Sequence, residues 1–63
     1  MSAETLNAEI QKFNLAKAID RFNTACGYRL ALPIARDDLK CVAELAAMRG
    51  RRDIAQAILE AMP

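Results

Sequence analysis

Histidine and tryptophan are absent from this chain, and aromatic residues are scarce, with one Tyr and two Phe in 63 residues. Without an imidazole, the usual general base, the usual partner of a Cys or Ser nucleophile and the commonest metal ligand are all missing. Asp37 and Asp38 are adjacent, and neighbours at a helix start do not face a common point, so they make no carboxylate pair. Catalytic residues are therefore not expected. Cys26 and Cys41 fall short of the four N/S ligands of a structural zinc site, and no metal or cofactor is expected either. Two cysteines are a thin disulfide framework, and they read as reduced thiols packed like small hydrophobes. No apolar run approaches the ~20 residues of a membrane span. The polar, acidic opening Met1–Glu4 is unlike a signal peptide. These absences lead to the expectation of a cytoplasmic protein without a membrane partner. Neither sign of charge dominates: nine basic and eight acidic residues leave +1. That balance excludes a strongly cationic nucleic-acid glue but leaves room for a local basic patch.

What is present is a chain 54% apolar, whose core must be built from Ala, Leu and Ile. Its length is that of a single domain, residues 1–63. A domain this small buries only about 60% of its unfolded surface, which makes oligomerisation a common remedy.

Residues 2–26 read as helix, with Ser2 or Thr5 as cap and Glu4 and Glu9 near the positive end of the dipole. The apolar residues of this segment form two stripes. Leu6, Ile10 and Phe13 share one face, and Leu15, Ala18, Ile19 and Phe22 share nearly the opposite one. Two arrangements satisfy that pattern: a continuous helix buried on two sides, or a break near Asn14 giving two short helices. Gly27 ends the segment as a C-terminal stop.

Tyr28–Ile34 changes period. Leu30, Leu32 and Ile34 alternate with Arg29, Ala31 and Pro33, as in a half-buried strand. Residues 35–38 then read as a helix entry, with Asp37 or Asp38 as cap. Leu39, Val42, Leu45 and Ala46 follow at helical spacing, and Arg49-Gly50 closes that helix. A last helix, Arg52 to Met62, presents Ile54, Ala57, Ile58 and Ala61, and Pro63 cannot extend it.

A lone strand leaves its backbone groups unpaired, so it needs the same segment of a second chain, or it is not a strand. Residues 28–62, read as strand, helix, Gly50 turn and helix, resemble the ribbon-helix-helix (MetJ/Arc-type) family of DNA-binding proteins. The string Leu45-Ala46-Ala47-Met48-Arg49-Gly50-Arg51 is similar to the way that turn is written in bacterial members. The resemblance implies a mainly α fold: an obligate homodimer with one short strand of about 28–34 per chain, behind an N-terminal helical extension over 1–26. It implies a shared dimer core of Leu30, Leu32, Ile34, Leu39, Val42, Leu45, Ile54 and Ile58. Arg29, Ala31 and Pro33 would then face double-stranded DNA, while Arg51 and Arg52 would hold phosphates at a helix N-terminus. Ala31 and Pro33 carry no hydrogen-bond donor, which leaves Arg29 as the one outward residue able to read a base edge. Leu45 to Ala61 is also similar to the helix pair of an ankyrin repeat, and on that reading residues 27–35 are a loop in a small all-α bundle.

Two functions follow as expectations. One is a bacterial or phage transcriptional regulator, such as a repressor, binding DNA as a homodimer. The other is a small helical interaction module, of inhibitor or antitoxin-like kind, whose protein target sits on the apolar face of the N-terminal helix.

Overall fold

The computed structural model describes residues 3–62, and Ser2 as a helix cap lies outside them. Among the described residues three helices make up the fold: α1 (Ala3–Cys26), α2 (Arg36–Met48) and α3 (Arg52–Ala61). The expectation of a mainly α protein holds. The expected strand over 28–34 does not form: among the described residues there is none, and residues 27–35 are an irregular connector.

The hydrogen bonding of Leu30 gives the physical reason. The side chain of Asn23, in the last turns of α1, takes up both main-chain groups of Leu30. Its Nδ2 donates to the Leu30 carbonyl at 2.9 Å, and its Oδ1 accepts from the Leu30 N–H at 3.0 Å. Polar groups that a strand would offer to a neighbour are thus satisfied within the chain. The alternation instead serves to plug the bundle. Leu30 and Ile34 are half-buried against the core, and Leu32 is 37% exposed.

α1 runs unbroken through Asn14, so the two-stripe pattern belongs to one continuous helix. Gly27 ends it at φ 75°, with the Gly27 N–H bonded to the Asn23 carbonyl. α2 starts without a side-chain cap: Ala35 occupies that position, and Asp37 and Asp38 lie in the first turn, where their charge suits the dipole. α2 closes as the sequence suggested. Gly50, at φ 80°, bonds its N–H to Ala47 O, and the Arg51 N–H reaches Ala46 O at 2.9 Å. That double bond pattern, with a left-handed residue between, satisfies carbonyls the helix end leaves open.

α3 packs against both other helices. Phe22 of α1, Leu39 of α2, and Ile54 and Ile58 of α3 are fully buried and make the centre. Ala18, Ala43, Ala46, Ala55 and Ala61 are also buried and let the helix backbones approach closely. The residues expected to form a dimer core therefore divide within one chain. Leu39, Ile54 and Ile58 are sealed inside it, Val42 and Leu45 are half-buried at its edge, Leu30 and Ile34 of the connector pack against it, and Leu32 is exposed.

Only the second apolar stripe of α1 takes part. Leu15, Ala18, Ile19 and Phe22 are buried, whereas every residue from Ala3 to Asn14 is exposed. A 24-residue helix spans about 36 Å, close to the 39 Å long axis of a molecule 18 Å across. The first half of α1 consequently projects beyond the bundle.

Candidate interaction surface

The projecting half of α1 carries the largest discrepancy between side-chain chemistry and surroundings. Leu6 is 50% exposed, Ile10 49% and Phe13 64%, all on the face turned away from the core. Spacings of four and three residues align them along one side of a helix. Single exposed apolar residues are ordinary, whereas these three make a continuous apolar stripe along one helix face. Lys17, one turn further on, places its ammonium 5.6 Å from the centre of the Phe13 ring, which caps the stripe with a cation.

A second apolar feature lies on the other side of α1. A groove of about 450 Å³ is lined by Leu15, Leu32, Pro33, Ile34 and Leu39, with Lys12 and Arg36 among its walls. It sits where the connector fails to cover the junction of α1 and α2.

The residues expected to bind DNA are dispersed or engaged. Arg29, Ala31 and Pro33 are exposed on the connector and are not arrayed on a strand. Arg51 donates from Nε and one Nη to the two oxygens of Asp53, each at 3.2 Å. Arg21 of α1 adds a third contact to the same carboxylate at 2.9 Å. The Arg51 hydrogen bond, a backbone N–H from Ile54 and the two guanidinium charges hold the Asp53 carboxyl below its usual range. Arg51 is pushed up by the same hydrogen bond and charge. Arg49 is turned elsewhere: its guanidinium lies 5.4 Å from the centre of the Tyr28 ring and donates to the Tyr28 hydroxyl at 3.2 Å. Tyr28 in turn stacks on Phe22, with ring centroids 5.1 Å apart. Arg52, exposed at the start of α3, is the member of the expected phosphate pair lacking such an assignment.

Cys26 is half-buried and Cys41, expected to be buried, is exposed; both are free thiols. Among the described residues no cluster of His, Cys, Asp and Glu has the makings of a metal site. No described helix is long and apolar enough to cross a membrane.

No family model, curated protein or solved structure matches this chain. What the residues define by themselves is a three-helix bundle with one overlong helix that offers an apolar stripe to solvent.

Proposed function

We propose that the chain is a small helical interaction module, which binds another protein segment through the Leu6–Ile10–Phe13 stripe of α1. The single observation that carries this reading is that α1 is continuous, yet apolar on opposite faces in its two halves. A helical segment of about twelve residues is marginal in water without tertiary packing. A row of large apolar side chains along it is explained by a partner helix or groove that packs there.

The ribbon-helix-helix regulator is supported less well. It asks residues 28–34 to leave Asn23 and pair with a second chain, and it asks Arg51 to leave Asp53 for phosphate. Placing a photo-crosslinking residue at Phe13, and separately at Ala8 on the opposite side of α1, tests the proposal in the producing cell. A protein adduct is expected from position 13 and not from position 8. Equal labelling from both positions, or none from either, would remove the stripe as a binding surface. Fluorescence anisotropy with duplex DNA at low salt addresses the alternative, which requires affinity that falls steeply as salt rises.

A further inference from the structure

We infer that the occupant of the α1 stripe is a second copy of this chain, with the projecting halves of α1 packed antiparallel; this rests on the interaction-surface reading above. The order of charge along the helix selects the orientation. Glu4 and Glu9 precede Ile10, whereas Lys12 and Lys17 follow it. Two copies laid antiparallel about Ile10 bring the acidic end of each beside the basic end of the other. A parallel pair sets like charges side by side. Glu4 and Lys12 point away from the seam, so the ordering acts chiefly through Glu9 and Lys17, which lie beside the stripe. The helix dipoles favour the same antiparallel arrangement.

Geometry agrees with the charge. About a two-fold axis near Ile10, Leu6 of one copy meets Phe13 of the other, which is the self-complementary contact that two-fold symmetry demands. Asn7 and Asn14 flank Ile10 three residues before and four after, placing both on one border of the stripe. They face each other across the seam only in the antiparallel pair. The core packs on the opposite side of α1, against Leu15, Ala18, Ile19 and Phe22, so each bundle lies clear of the contact. The three stripe residues expose on the order of 300 Å² per chain, against about 800 Å² per partner in a standard interface. The dimer is therefore weak and concentration-dependent.

Sedimentation equilibrium of the full chain in reductant, from about 10 µM to about 1 mM, is expected to show reversible monomer–dimer association that weakens as salt rises. Ile10→Glu should weaken it about tenfold or more. Ala8→Glu, with the same change of charge on the opposite face, should leave it within about twofold. Thermal unfolding of the dilute monomers should be alike in all three, since both positions are exposed. Orientation is read by disulfide exchange in a Cys26→Ala, Cys41→Ser background. A chain bearing Asn7→Cys, mixed with one bearing Asn14→Cys, should form mainly the mixed disulfide. A monomer throughout the range, equal effects of the two Glu variants, or mainly like-with-like disulfides would each overturn the inference. A monomer whose position 13 still yields an adduct of foreign mass rejects self-pairing and spares the interaction surface. No adduct of any mass rejects both.

Discussion

Asn23 grips Leu30 at both of its main-chain groups, donating to the carbonyl and accepting from the N–H across a seven-residue separation. This clasp fixes the path of the connector as it leaves α1. It also occupies backbone groups that an intermolecular ribbon would draw on. Asn23→Ala should therefore lower stability by about 1–3 kcal/mol, the cost of leaving two partly buried polar groups unmatched. Asn23→Asp keeps an acceptor for the Leu30 N–H but sets a carboxylate oxygen against the Leu30 carbonyl at the negative end of α1, and should cost at least as much as Ala at neutral pH. Denaturant midpoints at constant m-value measure both.

The two stripes of α1 predict opposite responses to substitution. Phe22→Ala, in the fully buried stripe, should cost about 3–5 kcal/mol, enough to unfold much of a domain this small. Phe13→Ala, at 64% exposure, should change the stability of the dilute chain by less than about 0.5 kcal/mol. Thermal melts by circular dichroism separate the two.

Amide hydrogen exchange should divide α1 near Asn14. Residues 3–14 are exposed and should exchange fast in dilute solution, while amides of the buried turns from Leu15 to Phe22 should approach the protection of α3. Uniform protection along α1 at low concentration would contradict the projecting-helix arrangement.

Asp53 sets an acid limb. Its carboxyl is held low by Arg51, so the contribution of the Arg21–Asp53–Arg51 cluster is complete above the unfolded-state value near about 4. It is lost as pH falls through the lower folded-state value. Asp53→Asn should lower stability modestly at neutral pH, as befits exposed pairs, and flatten the fall below about 4, so that the two curves converge in acid. Urea midpoints as a function of pH test this.

Gly50 sits at φ 80° with open space where a side chain would go. Gly50→Ala should cost about 1 kcal/mol from the left-handed backbone alone, and Gly50→Asn less, because Asn tolerates that region better. Chemical denaturation of the two variants gives the comparison.

Periodicity and stop signals determined most of the helical framework. Leu39, Val42, Leu45 and Ala46, then Gly50, then Ile54 and Ile58 announce α2, the turn and α3, because local spacing and a left-handed glycine are properties of neighbouring residues. The opposed stripes of residues 2–26 were visible too. Specific side-chain contacts and the packing of the helices, which spacing does not encode, decided the rest. Leu30, Leu32 and Ile34 alternate as a strand does, but Asn23 claims the backbone of Leu30, and the bundle takes Leu30 and Ile34 as partial plugs. Arg51 read as a phosphate ligand, but it is paired with Asp53 two residues on, and only the packing of α1 brings Arg21 to the same carboxylate. Which of two apolar stripes meets the core depends on where α3 packs, a choice made between segments more than thirty residues apart and invisible in either one alone.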